Sequence, residues 1–283
     1  MFHMFELEFM VQAFIVSVMI GVLLSYLGVH VVGRGIVFVD LALGQISSLG
    51  VAFSEYIGYG KTTIPIVFTL VGALMMSFIT IKDRRLKLEA IIGIIYAVAS
   101  AATVMFISKT PHGDSDIQEV LFGNTLSVNT EQIKWIAVIF GGIALLHILF
   151  YKKFFLLTEN FQDQENVIAQ DAFPKKGSFQ LWNFVFYLSI GLAIVFAVRI
   201  SGVIPVFSFL IIPSVAAIML AKKNLVVVII AAIISILGVF IGLEVSYHND
   251  FPAGSSLVAV LGGIFFLISV FYIFKERIKS KKA

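Results

Sequence analysis

The chain has 283 residues, 59% hydrophobic and 13% charged, with no cysteine and a mean hydropathy of +1.02. A soluble domain is nearer a quarter charged, so a soluble globular protein is excluded, as are disulfides and thiolate metal centres. The net charge of +3 and a pI near 9.0 would suit nucleic acid only if the basic residues shared one surface, and their distribution along the chain points elsewhere.

The first ten residues carry Glu6 and Glu8 but no Lys or Arg, so no cleavable signal peptide is expected. Apolar stretches follow at residues 11–32, 37–56, 64–81, 90–107, 135–151, 181–198, 203–221, 225–243 and 257–274. A helix needs roughly 20 apolar residues to cross a hydrocarbon core of about 30 Å. Long apolar runs do not alternate as barrel strands do, so helices are expected. The predicted fold is an all-α polytopic membrane protein with about 8–9 transmembrane helices, forming one domain over residues 1–283. The range reflects Pro205 and Pro213, which can break the seventh stretch into a partial span.

Charge sets the expected orientation. With the N-terminus outside and the C-terminus cytoplasmic, the inner connections hold sixteen of the 20 basic residues, among them Arg34, Arg84, Arg85, Lys152, Lys153, Lys222 and Lys223. Only Lys61, Lys109, Lys134 and Arg199 fall outside. The positive-inside rule selects this arrangement and leaves no nucleic-acid footprint. The outer segments carry Glu6, Glu8, Glu55, Asp114, Asp116, Glu119, Glu131, Glu244 and Asp250, an acidic face suited to a cation or a cation-carrying partner. Two connections are long, an outer loop at 108–134 and an inner loop at 152–180. Loops of that length are expected to hold a short helix or a partner site.

The second stretch carries the chemistry. Residues 34–52 read Arg-Gly-Ile-Val-Phe-Val-Asp-Leu-Ala-Leu-Gly-Gln-Ile-Ser-Ser-Leu-Gly-Val-Ala. A carboxylate and an amide in an apolar span mark a pathway or a buried contact. At 100° per residue, Gln45 and Ser48 share a face with Leu41 and Ala52, and Asp40, Gly44 and Ser47 lie on the next one. Asp40 could instead cap the helix. His30 and His147 lie within spans, where an interhelical hydrogen bond is the commoner role. His112 with Asp114, and His248 with Asp250, pair imidazole with carboxylate and could hold a divalent ion in passing, or could serve as loop caps and partner contacts. Asp250 with Pro252 also suits the start of the last helix. Gly60-Lys61-Thr62 ends like a phosphate-binding loop, but position 55 is Glu where the pattern needs Gly, so the chain is expected to have no ATP site.

These residues resemble a family. Residues 34–52 resemble the second-helix signature of zinc/manganese-type ABC importer permeases. Glu89-Ala90-Ile91-Ile92-Gly93, Leu121-Phe122-Gly123-Asn124-Thr125-Leu126-Ser127-Val128, the run from Ser201-Gly202 to Pro213-Ser214, and Asp250-Phe251-Pro252-Ala253-Gly254 match further family segments in order. The family often carries Asp-x-x-x-His on the second helix. Here its His falls on Gln45 and its Asp on Leu41, with Asp40 one position early, a form similar to a divergent branch. An amide oxygen is a weaker zinc ligand than imidazole.

The resemblance implies a type II importer permease fold in the cell (inner) membrane and a transported divalent metal, with zinc first, then manganese or iron. It implies no enzymatic activity and no cofactor in this chain, with ATP on a partner. The implied partners are a second copy of the chain, a cytoplasmic ATPase dimer, an extracytoplasmic metal-binding protein and the lipid bilayer. The expected metal-path residues are Asp40, Gln45, Ser48, His112, Asp114, His248 and Asp250. The expected ATPase contact lies on the inner loop at Glu159, Asn160, Phe161, Asp163 and Glu165. The alternative is a transporter driven by an ion gradient, which should carry more ionisable residues in mid-membrane than this chain does.

Overall fold

The computed structural model describes residues 3–78, 88–110, 121–162 and 176–280. Ten α-helices account for most of them: α1 Glu8–Gly33, α2 Val39–Ile57, α3 Thr63–Phe78, α4 Leu88–Ile107, α5 Thr130–Leu149, α6 Tyr151–Gln162, α7 Lys176–Ser201, α8 Val203–Leu220, α9 Asn224–Asn249 and α10 Ala253–Ser280. Short 3₁₀ turns lie at His3–Glu6 and Thr125–Ser127.

Each of the nine expected stretches falls on a helix. Seven helices, α1, α4, α5, α7, α8, α9 and α10, are long and apolar enough to cross a membrane. The other two expected stretches fall on α2 and α3. The described part of α3 has 16 residues, about 24 Å at 1.5 Å per residue, and residues 79–81 of that stretch lie outside the described residues. Asp40, Gln45 and Glu55 make α2 more polar than a full span. The stretch with the two prolines is one unbroken helix. Pro205 sits in the first turn of α8, where its missing N–H costs no intrahelical bond, and Pro213 lies inside it.

The chain packs as two compact units: Met1–Val29 with Asn124–Ala137 and Ile204–Ala283, and His30–Gly123 with Val138–Val203. In the first, α9 packs on α10. Gly238 and Gly242 admit Leu261 and Leu257, because a Cβ at either glycine would crowd those side chains. The chain turns between these helices at Asp250, in the left-handed region at φ 53°, a conformation that Asp tolerates better than most residues. Ser246 Oγ donates to the Phe251 carbonyl (2.7 Å), and the Phe251 N–H donates back to Ser246 O (3.2 Å). Asp250 is therefore the C-cap of α9, not the cap of the last helix.

Also in the first unit, α1 meets α8 backbone to backbone. A Cβ on Gly28 would overlap the Leu210 carbonyl oxygen and lie 2.8 Å from its carbon. One helical turn away, the Ser214 hydroxyl is shared between Leu210 O (2.6 Å) and Ser25 O (2.8 Å). Pro213 has no N–H to offer the Phe209 carbonyl, so this polar crossing sits where α8 lacks a backbone bond. Small residues permit such an approach in a bilayer, where close packing replaces the hydrophobic drive.

In the second unit, α2 packs against α3, α4 and α7, and α3 packs against α7. Gly50 lies against Pro65, and Gly72 against Ile46. The end of α7 and the segment 121–123 cross at Gly202 and Gly123, both in the left-handed region at φ 77° and 70°. Several buried hydroxyls in the two units bond to a carbonyl one turn earlier on their own helix: Ser48 to Gly44 (3.0 Å), Thr69 to Pro65 (2.8 Å), Thr103 to Ala99 (2.8 Å), Thr158 to Phe154 (3.0 Å) and Ser208 to Ile204 (2.9 Å).

Helix α1 is 67% buried over its apolar window, against 22% for α4 and α5 and 11% for α10. The latter three present apolar side chains such as Met105, Ile148 and Phe271 outward, the pattern of helices that face lipid.

Candidate functional site

The site begins where α1 ends. His30 and Arg34 lie one turn apart, and Gly35, at φ 66°, turns the chain into α2. The Ile36 N–H returns to Val31 O at 3.2 Å, which closes the end of α1 as glycine C-caps do. Helix α2 then starts with Phe38 as N-cap and no side-chain cap bond, so Asp40 is not the cap. It is the second helical residue, at the positive end of the helix, 2% exposed. No side chain among the described residues donates to either carboxylate oxygen; the backbone N–H groups of Leu41 and Asp40 are the donors beside it.

Further along α2, Gln45, Ser47 and Ser48 are also buried. The Ser48 hydroxyl proton goes to Gly44 O at 3.0 Å. Gly44 is turned toward the end of α7 and the first residue of α8, with its Cβ position 3.8 Å from Val198 Cγ2 and 3.3 Å from Val203 Cγ1. One helix thus buries a carboxylate, an amide and three hydroxyls, those of Ser47, Ser48 and Ser54. Burying polar groups without partners is costly, and in membrane helices such groups mark pathways by default.

The remaining expected residues scatter. His112 and Asp114 lie outside the described residues. His248 does not pair with Asp250. Its Nε2 lies 3.8 Å from Glu244 Oε1, one turn back on α9, because the left-handed cap carries the chain away at Asp250. Among the described residues no three His, Asp or Glu side chains converge as a metal-holding group. The inner loop is largely helical at its edges: α6 takes residues 151–162 and α7 begins at Lys176. Glu159 is exposed on α6. Asn160 and Phe161 occupy its last turn, and Asp163 and Glu165 lie outside the described residues.

Sequence reasoning missed the buried support beside α2. The Arg34 guanidinium lies over the Phe186 ring, 3.4 Å from Cζ to centroid, and Nη1 donates to Asn183 Oδ1 at 3.2 Å. His30 Nδ1 lies 2.8 Å from Thr158 Oγ1 on α6, which realises the interhelical hydrogen bond expected of it. His147 stacks on Phe154, with centroids 3.9 Å apart and planes 8° apart. The available signal was Asn183, an amide near the start of an apolar span, in register to meet an arginine. Lysine cannot reproduce a planar guanidinium that covers an aromatic ring and donates to an amide at once. Arg34→Lys is expected to destabilise the chain by about 2 kcal/mol, read as a fall in the melting midpoint of the detergent-solubilised protein. An unchanged midpoint would remove Arg34 as an anchor of α2.

Seven apolar spanning helices with a carboxylate and an amide buried in an adjoining helix define a multi-pass membrane transport protein. The profile of the ABC 3 transport family matches residues 6–272, and the chain belongs to that family, whose members are membrane permeases of the cell membrane. It is 28% identical over 278 residues to the manganese transport system membrane protein MntC of Listeria monocytogenes, covering 98% of this chain and 95% of that protein. It is 28% identical over 281 residues to the manganese import system permease protein ScaB of Streptococcus gordonii, covering 98% and 96%. Its fold is similar to that of PsaBC from Streptococcus pneumoniae, solved in complex with a Fab, at a TM-score of 0.77 and 22% identity, over 94% of this chain and 92% of that one.

Proposed function

We propose that the chain is the permease subunit of an ATP-driven importer of divalent metal ions, working as a single membrane domain paired with a second copy. A separate ATPase would dock on the cytoplasmic side, at α6 and the segment after it, and an extracytoplasmic protein would deliver the ion. The charge distribution orients the N-terminus outward. The gradient-driven alternative gains nothing from the family to which the chain belongs.

One observation carries the reading: Asp40, Gln45 and Ser48 are buried on one helix, and no side chain among the described residues donates to the Asp40 carboxylate. These side chains offer oxygen and no imidazole. Carboxylate, carbonyl and water oxygens suit manganese, whereas imidazole and thiolate favour zinc. Manganese therefore moves ahead of zinc as the proposed substrate, in line with what MntC and ScaB are named for. His248 and Glu244 would serve at most as a surface contact for an arriving ion or partner.

The test is uptake of Mn²⁺ into proteoliposomes that hold the chain with its ATPase and binding protein. ATP-dependent accumulation is expected. Asp40→Asn and Gln45→Ala should each lower it at least about tenfold, since even an outer-shell partner of a metal costs that much. Assembly with the ATPase should be unchanged. Uptake that does not need ATP, or that ignores both substitutions, overturns the reading.

A further inference from the structure

The buried His30–Thr158 contact joins two helices through a short hydrogen bond, with Nδ1 and Oγ1 2.8 Å apart. The Thr158 hydroxyl also lies 3.0 Å from the Phe154 carbonyl. In the tautomer that satisfies both contacts, His30 Nδ1–H donates to Thr158 Oγ1 and the hydroxyl donates to Phe154 O. His30 is fully buried and Thr158 is 7% exposed. The imidazole is packed by Phe155 at 4.5 Å, Phe186 at 6.0 Å and His147 at 6.4 Å between ring centroids.

This contact ties α6 to the last turn of α1. Four residues on from His30, Arg34 is held between Phe186 and Asn183 of α7. Arg34 is also the residue at which the chain turns toward α2. A short and fully packed path therefore runs from α6 through Thr158, His30 and Arg34 to the start of the helix that carries Asp40 and Gln45. Buried hydrogen-bonded contacts of this kind have discrete arrangements and do not deform continuously.

We infer that His30 and Thr158 are positioning residues that couple the placement of α6 to the placement of the N-terminal end of α2. The inference rests on the permease reading, in which α6 meets the ATPase and α2 lines the ion path. Neither residue touches the ion. The device explains why an imidazole lies at the end of α1 without any metal-holding group around it among the described residues.

The test uses two variants. Thr158→Val keeps the shape of the side chain and removes the hydroxyl, and Thr158→Ser keeps the hydroxyl. The chain has no cysteine, so spin labels can be placed cleanly at Glu159→Cys on α6 and Phe38→Cys before α2, both exposed positions. In the full-length chain in nanodiscs, one narrow label-to-label distance is expected. Thr158→Val should broaden it and Thr158→Ser should restore it. In the complete transporter, Thr158→Val should lower Mn²⁺ accumulated per ATP hydrolysed about fivefold, the scale of one buried hydrogen bond, while ATP hydrolysis continues. A narrow distance in Thr158→Val, or equal transport per ATP in Thr158→Val and the parent, overturns the coupling. Distances that respond as expected in a parent chain that shows no ATP-dependent Mn²⁺ uptake would sink the permease reading and leave the α6–α2 tie standing.

Discussion

Gly202→Ala is expected to leave little folded protein. Position 202 lies in the left-handed region at φ 77°, which costs a Cβ-bearing residue about 1–2 kcal/mol. Its Cβ would also overlap the Gly123 amide nitrogen and lie 2.6 Å from the Leu121 carbonyl oxygen. Both obstacles are backbone, so no side chain can move aside. Overpacking costs about 1–3 kcal/mol even where neighbours can shift, so the total reaches about 3 kcal/mol or more. Gly123→Ala should behave alike, since it has φ 70° and its Cβ would lie 2.5 Å from the Gly202 nitrogen. Gly93→Ala is the control, because that glycine has open space beside it. The measurement is the fraction of monodisperse protein after detergent extraction, with the melting midpoint of what is recovered. Equal yields for all three variants would show that the crossing can relax.

Gly28→Val is the second large effect. A side chain at 28 drives α1 away from the Leu210 carbonyl and strains the Ser214 hydroxyl bridge to Ser25 O. The loss combines overpacking with a weakened buried hydrogen bond, about 2–4 kcal/mol together. Ser214→Ala removes only the hydroxyl and should cost about 1 kcal/mol. The two are compared by thermal unfolding in one detergent. If Ser214→Ala costs as much as Gly28→Val, the bridge rather than the close approach holds α1 on α8.

Most of the helices were legible because lipid requires long apolar runs, and those runs dominate the composition. Residues 64–81 read as a span because hydropathy reports burial in lipid, and the described part of that stretch, Thr63–Phe78, is helical. Pro213 suggested a break, but the structure keeps the helix continuous through it, with a serine hydroxyl beside the missing donor. The α2 polar set was visible because charge and amide groups stand out against leucine and valine. The Arg34–Phe186–Asn183 and His30–Thr158 contacts were not, since they join residues 128 to 152 positions apart and nothing local signals which partner an arginine will find. The pairing of His248 with Asp250 failed for a local reason. Two residues apart suits a loop, but position 248 is still helical, and on a helix the neighbour is four residues back.

The back-bonded hydroxyls have a consequence for the sign of charge that the interior tolerates. A hydroxyl that gives its proton to its own helix keeps only lone pairs for anything else. Ser48 does this within a turn of Gln45, on the same helix as the Asp40 carboxylate. An oxyanion such as phosphate would meet electron pairs there and find few hydrogens to hold it, whereas a cation shedding water would find replacement oxygens. The helix backbone, by drawing those protons inward, makes this stretch of α2 electron-rich before any substrate arrives.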